Sequence, residues 1–259
     1  MNKISAIINT YNEEKNITSC LRSIKWVDEI VVVDMDSTDN TIQYVKKYTN
    51  KIYYQKHSGY VESARNFAIK HTTGNWILVI DADEEVRGHS NQIIKNLVDS
   101  INYDGYLFPR RNYLDNKIYL KHGYFYPDYQ LRLFRNTKKI KYFGMIHEQP
   151  KMNNNRIKIV NDVIIYHNSS HSKYNSFVSI LRFFPYIKVE GEIIANSKIS
   201  TANILLDAII EPLRHFYRSF IKLKGYKEGY IGFRAALLYG LYKGLTKHYA
   251  CLLRNKLLK

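Results

Sequence analysis

Five apolar residues, Trp76-Ile77-Leu78-Val79-Ile80, run directly into Asp81-Ala82-Asp83-Glu84-Glu85. The run is too short and too β-branched for a helix and reads as a buried strand. Its carboxyl end meets water at a pair of carboxylates one residue apart. On a surface loop such a run of acids is ordinarily solvated. Directly after a buried strand it marks the edge where open α/β sheets hold ligands. Hard divalent cations such as Mg²⁺ take oxygen ligands, commonly one or two carboxylates plus substrate phosphates. The cluster therefore asks for a cation and a phosphate.

The first hundred residues fit the sheet that this strand requires. Strands are expected at 4–9, 29–34, 52–55 and 76–80, and helices at 14–24, 41–48, 61–70 and 93–101. Such alternation predicts a mainly parallel sheet with helices on both faces. After about residue 103 the pattern changes. Short aromatic strands at 106–111, 118–121, 130–134, 140–143 and 162–166 suggest an antiparallel extension. Beyond His171 the chain turns helical and basic, with helices at 177–188, 204–223 and 231–253. The expected division is 1–170 for the sheet domain, itself split at 103/104, and 171–259 for a helical basic extension.

The 259 residues carry a net charge of +16, which points to a polyanionic partner: nucleic acid, anionic lipid or a phosphorylated sugar. The 23 tyrosines suit sugar faces and membrane interfaces. Two distant cysteines give neither metal-ligand spacing nor a disulfide scaffold, as expected of a reducing cytosol. Neither a secretory leader nor a membrane span of ~18 apolar residues is expected.

Three further segments carry chemistry. Thr10-Tyr11-Asn12-Glu13-Glu14 ends the first strand, where Thr10, Tyr11 and Glu13 can recognise a nucleotide ring or ribose; a helix start with acids in its first turn is the alternative. The second strand ends in Asp34-Met35-Asp36-Ser37-Thr38-Asp39-Asn40-Thr41. Ser37 or Asp39 can cap the helix that follows; capping explains one of the acids and not all three, and a carboxylate here, with Asp34 and Asp36 as candidates, can accept from a base N–H or a ribose hydroxyl. Arg65, early in the third helix, can bind phosphate, although a surface arginine is the commoner case.

In this order the motifs resemble those of family 2 glycosyltransferases of the GT-A fold. The similarity is to small bacterial enzymes that extend lipopolysaccharide core and related surface glycans. It continues through Pro127-Asp128-Tyr129-Gln130-Leu131-Arg132-Leu133-Phe134-Arg135, Gly144-Met145-Ile146-His147-Glu148 and Lys224-Gly225-Tyr226-Lys227-Glu228-Gly229. The resemblance implies an α/β fold: a nucleotide-binding mixed sheet flanked by helices. It also implies a nucleotide-diphosphate sugar donor, with UDP-sugar expected. Asp34 would contact the base, Asp81 the ribose or metal, and Arg65 would lie near the nucleotide. Asp83 would ligate Mg²⁺ or Mn²⁺ bridging the diphosphate. Relatives usually have Asp-Gly or Ser-Gly where this chain has Met35-Asp36. Losing the glycine removes the easiest route to positive φ, a region that Asp tolerates better than most residues.

Many members of the family supply the catalytic base from a Glu-Asp pair, a dipeptide absent here. His147-Glu148 stands in for it. Glu148 is the candidate base, Asp128 its rival, and His147 would help hold the metal or the leaving diphosphate. Arg132 and Arg135, read as one basic strand face, would meet an anionic acceptor or the diphosphate.

The expected reaction is inverting transfer to a glycan or glycolipid acceptor. The expected location is the cytoplasm, with the inner face of the cytoplasmic membrane as a candidate docking surface. The basic helix at 231–253 would either rest on anionic lipid or pack on the catalytic domain. Two other classes compete. Nucleotidyltransferases usually open with a glycine-rich phosphate loop, and Asn9-Thr10-Tyr11-Asn12-Glu13 has no glycine. A non-catalytic basic module would leave Asp81, Asp83 and Glu148 idle. With no helix-turn-helix, zinc or RNA-binding signature, no nucleic-acid partner is expected.

Overall fold

The structure is a computed structural model. It describes residues 2–56, 62–113, 119–137, 140–142, 150, 152, 156–168, 180–181 and 183–255. The chain divides into two compact units, 1–112 with 128–169, and 113–127 with 170–259. The segment 113–127, expected within the sheet domain, thus groups with the helices.

In the first unit β1 (Ile4–Thr10), β2 (Glu29–Asp34), β3 (Ile52–Tyr54) and β4 (Trp76–Val79) are the expected parallel strands. Between them lie α1 (Ile17–Ser23), α2 (Thr41–Val45) and α3 (Glu62–Lys70). Then follow β5 (Glu84–Val86), α4 (Ser90–Val98), β6 (Gly105–Tyr113), β7 (Asp128–Arg135), β8 (Ile157–Ile159) and β9 (Ile165–Asn168). Among the described residues the sheet order is β3-β2-β1-β4-β7-β6-β9-β5, with β8 on β6. β7 runs antiparallel to β4 and β6, so the expected antiparallel extension is present.

Alternation along the strands sorts the core into two layers. Ala6, Ile8, Trp76 and Leu78 pack with Leu21 of α1 and Ile94 of α4 on one face. Ile7, Ile77 and Val79 pack with Ala64 and Ala68 of α3 on the other. Each such large side chain contributes about 1.5–3 kcal/mol by leaving water. These two layers hold β1, β2 and β4 side by side. The strand order reverses between β1 and β4, so the crevice at their carboxyl ends is where this topology places a ligand.

Some local expectations fail. Of the strand expected at 118–121 the described residues 119–121 make one bridge, Tyr119 with Tyr113, and of that expected at 140–143 the described residues 140–142 form no strand. β5 and β8 are additional strands. β5 forms because Glu84, Glu85 and Val86 pair with His167, Tyr166 and Ile165 of β9, a long-range partnership that local polarity conceals.

The second unit contains α5 (Phe184–Ala195), α6 (Thr201–Phe216), a π-helical turn at Tyr217–Lys222 and α7 (Gly229–Arg254). Glycines allow α7 to lie close against α6. A Cβ on Gly240 would stand 2.6 Å from the Pro212 carbonyl, and one on Gly244 2.4 Å from the Pro212 ring. The 113–127 segment is tied in by Glu228, which accepts from His122 and from the Lys121 amide. No helix of the described residues is long and apolar enough to cross a membrane.

Candidate active site

Three strand ends build the site. Thr10 of β1 pairs in register with Asp34 of β2, and both are buried, Asp34 being 2% exposed. Asp34 Oδ2 accepts from the Ser37 amide at 3.1 Å. Asp34 Oδ1 and Thr10 Oγ1 are buried without a hydrogen-bond partner. Buried polar atoms are rarely left in that condition, and here two lie at adjacent strand ends.

The loops after β1 and β2 are stitched together. The Asn12 amide donates to Ser37 Oγ at 2.9 Å, and the Thr38 amide donates to Asn12 Oδ1 at 2.8 Å. Asp36 has φ 62°, the left-handed conformation anticipated where relatives carry glycine. Asp39 accepts from the amides of Thr41 and Glu14, so this acid is structural. Tyr11 is exposed at the rim.

After β4 the chain makes a tight turn, with the Glu84 amide donating to the Asp81 carbonyl at 2.9 Å. Asp81 Oδ1 accepts from Arg65 at 2.6 Å and Oδ2 from Arg132 at 2.9 Å. Burial raises the Asp81 carboxyl, but the Arg132 and Arg65 guanidiniums outweigh it and hold the group well below the usual carboxylate range. Glu84, fully buried, accepts from Arg132, from Arg110 at 3.2 Å and from the Asp81 amide at 3.1 Å.

Asp83 faces a different partner. Its Oδ2 lies 3.0 Å from His167 Nε2 on β9. Asn112 donates through Nδ2 to Asp128 at 3.1 Å, which leaves its Oδ1 to accept from His167 Nδ1 at 2.8 Å. This network assigns the proton to Nδ1 and turns Nε2 toward Asp83. Two acceptors 3.0 Å apart require a proton or a cation between them. Glu13 is close enough to feel both groups: burial raises its carboxyl, and Asp83 adds to the rise.

Asp83 and His167 supply an oxygen and a nitrogen donor. Among the described residues no cluster of three or more His, Cys, Asp or Glu is placed to hold a metal. One carboxylate completed by substrate phosphates is a recognised arrangement for Mg²⁺ and its relatives, so Asp83 fits such an ion, with the softer imidazole donor of His167 beside it.

Several expectations need correction. Arg132 and Arg135 do not form one basic face. Tyr106 pairs with Leu133 and Leu107 with Leu131, making Arg132 the extra residue of a β-bulge. Arg132 is 4% exposed and engaged by Asp81 and Glu84, so it is not open to an acceptor. Arg135 lies opposite Trp76 at the far end of β4, paired with Asp104 at 3.0 Å. Asp128 accepts from Arg110 at 2.9 Å, Asn112 at 3.1 Å and Gln130 at 2.6 Å. Burial raises its carboxyl, but Arg110 and the two amides reverse this, leaving it below the usual range and poor as a base. Glu148 and His147 lie outside the described residues. His167, Arg110 and Asn112 escaped the sequence reading, and Glu84 was read only as part of the acidic run. His167 follows directly on the strand expected at 162–166, which by itself does not mark it.

The sheet order, with acids gathered at the β1/β2/β4 edge, defines an α/β protein with a candidate ligand crevice at that edge. The sequence profile described as "Glycosyl transferase family 2" matches residues 5–170, and the chain belongs to that family. It is 32% identical over 189 residues to the SPbeta prophage-derived glycosyltransferase SunS of Bacillus subtilis, covering 69% of this chain and 42% of SunS. It is 40% identical over 97 residues to the poly(ribitol-phosphate) beta-N-acetylglucosaminyltransferase TarS of Staphylococcus aureus, covering 33% of this chain and 17% of TarS. The chain thus spans less than half the length of these relatives. The crystal structure of S. aureus TarS 1–349 is similar in fold, with a TM-score of 0.50 at 20% identity, covering 98% of this chain and 91% of that one.

Proposed function

We propose that the chain catalyses inverting transfer of a sugar from a UDP-sugar to a hydroxyl of a surface glycan, with a divalent cation required. The observation that carries this reading is the pair of orphaned buried atoms, Asp34 Oδ1 and Thr10 Oγ1, at the carboxyl edge shared with β4, which leads into Asp83. Asp34 would accept from a base N–H at the bottom of the crevice. Tyr11 would cover the base or ribose from the rim. The choice of UDP draws on the S. aureus TarS 1–349 structure in complex with UDP, which is similar in fold.

Asp81 keeps its two arginines and fixes the turn, so the donor-holding role in this turn falls to Asp83. A cation bound by Asp83 and His167 would neutralise the charge growing on the leaving diphosphate. Glu148 is the proposed base that takes the acceptor proton, since Asp128 is engaged by Arg110. The acceptor proposed from the sequence resemblance is lipopolysaccharide core. TarS, named for poly(ribitol-phosphate), makes a phosphate-containing surface polymer the second acceptor to try.

Release of nucleoside diphosphate from a panel of UDP-, GDP- and dTDP-sugars, with Mn²⁺ and with chelator, tests the reading. A UDP-sugar should be turned over only with the cation. Glu148→Gln should retain donor binding and slow transfer by ~10²-fold or more. Full activity in Glu148→Gln would remove it as the base, and turnover that survives the chelator would remove the cation.

A further inference from the structure

Helix α6 is built inside out. A surface helix ordinarily turns its apolar stripe to the core and its polar side to water. Ile204 at the start of α6 packs with Ala250 and Cys251 of α7, and Phe216 at its end meets Phe233, but between them the side toward α7 is polar or small. Asp207 pairs with Lys247 at 3.3 Å, His215 meets the Tyr239 ring, and Ala208 and Pro212 sit against Gly244 and Gly240. The side turned away carries Leu205, Leu206, Ile209, Leu213 and Tyr217, with Ile209 66% and Leu213 70% exposed. Leu206, Ile209, Leu213 and Tyr217 follow at spacings of three to four residues, with Leu205 four before Ile209, and so form one stripe.

The charges are sorted in the same way. Between Thr201 and Lys227 the chain has two carboxylates, Asp207 and Glu211. Asp207 is paired with α7, and Glu211 lies 3.6 Å from Arg214 and from His215. The cations of the same stretch, Arg214, Arg218, Lys222, Lys224 and Lys227, are all exposed. The outward side is therefore apolar along the helix and purely positive toward its carboxyl end and the turns beyond.

We infer that α6 and the π-helical turn after it lie in the plane of an anionic membrane surface. The apolar stripe enters the acyl boundary and the cations meet lipid phosphates. At 16 residues α6 is about 24 Å long, short of the ~30 Å hydrocarbon core, so it rests on the bilayer rather than spanning it. Exposed Tyr217, Tyr226 and Tyr230 suit the headgroup level. A second copy of the chain is the weaker occupant, because a two-fold contact would set these cations against their own equivalents. The inference stands apart from the sugar-donor reading and replaces the helix at 231–253 as the membrane element: Ala235, Leu238 and Tyr242 of α7 are buried.

Co-sedimentation with phosphatidylcholine vesicles, with and without phosphatidylglycerol, is the test, and it needs no donor. The full chain should pellet with the anionic vesicles and not with the neutral ones, and salt should weaken the binding. Ile209→Ser with Leu213→Ser should weaken it by about tenfold or more. Arg218→Gln with Lys222→Gln and Lys224→Gln should weaken it and flatten the salt dependence. All five residues are exposed, although the Arg218 guanidinium also lies over the Tyr124 ring at 5.7 Å; a melting temperature near the parent value reports an intact fold in each variant. Undiminished pelleting by either variant, or none by the parent chain, overturns the inference. A parent dimer that dissociates in the Ile209→Ser, Leu213→Ser variant, without vesicle binding, would reassign the face to a second copy.

Discussion

The two ends of the parallel strands treat their acids differently. At the amino edge Glu29 is saturated: Lys51 and Thr73 Oγ1 occupy one oxygen, and Ser5 and the Thr73 amide the other. Asp104 is likewise shared between Arg135 and Arg156. The hollow beside Glu29, lined by Lys3, Lys25 and Lys51 among others, contains none of the orphaned atoms found among the described residues. At the carboxyl edge Asp81 and Glu84 are saturated by arginines, but Asp34 Oδ1 is not, and Asp83 has only the His167 imidazole, 3.0 Å away, across from it. Acids that complete their own bonding hold the fold together, whereas the acids with capacity left over are those that can hold a ligand.

Substitutions at the two edges should separate these roles. Asp83→Ala should abolish cation-dependent diphosphate release while leaving the melting temperature near the parent value; retained turnover would detach Asp83 from the cation. Arg132→Met should do the opposite kind of damage. Removing it strips compensation from Asp81 and buried Glu84, at a cost of about 3–5 kcal/mol in a denaturant titration.

Glu29→Gln probes the amino edge through pH. Burial pushes the Glu29 carboxyl up, and bonds from Lys51, Ser5 and Thr73 more than reverse this, bringing it down to about 2. A lowered folded-state value means stability that is present above the ordinary carboxylate range and lost as pH falls through about 2. The parent should lose stability across that window, by less than the full shift implies because the Lys51 partner is solvated, and Glu29→Gln should lack this dependence while binding nucleotide normally. Arg135→Ala should be the mildest, within about 1 kcal/mol in stability and without effect on transfer, because its pair with Asp104 is partly solvated. A large loss of transfer there would contradict its placement at the far edge.

Much of this edge was legible in the sequence. β1, β2 and β4 announce themselves as apolar runs ending in polar residues, and Asp36 occupies the positive-φ position anticipated for it. What escaped depends on partners distant in sequence. Glu84 reads as one more acid in a solvated run until Arg132 and Arg110 arrive from β7 and β6. His167 has no spacing pattern to betray it and gains its place only when β9 pairs with β5. Arg132 and Arg135 misled because three residues along a strand place side chains on opposite faces, and the bulge at Arg132 broke the frame further. In α6 the period of the apolar stripe is plain, but the sequence does not say which side meets α7.

The central claim is that the carboxyl edge of β1, β2 and β4 is a nucleotide site completed by a cation at Asp83. Titration calorimetry of UDP into the full chain, with and without Mn²⁺, tests it most directly. Binding should appear with Mn²⁺, weaken by about tenfold in Asp34→Ala, and lose its Mn²⁺ dependence in Asp83→Ala. UDP affinity that is the same in parent, Asp34→Ala and Asp83→Ala, or no binding by the parent with Mn²⁺, would contradict the account.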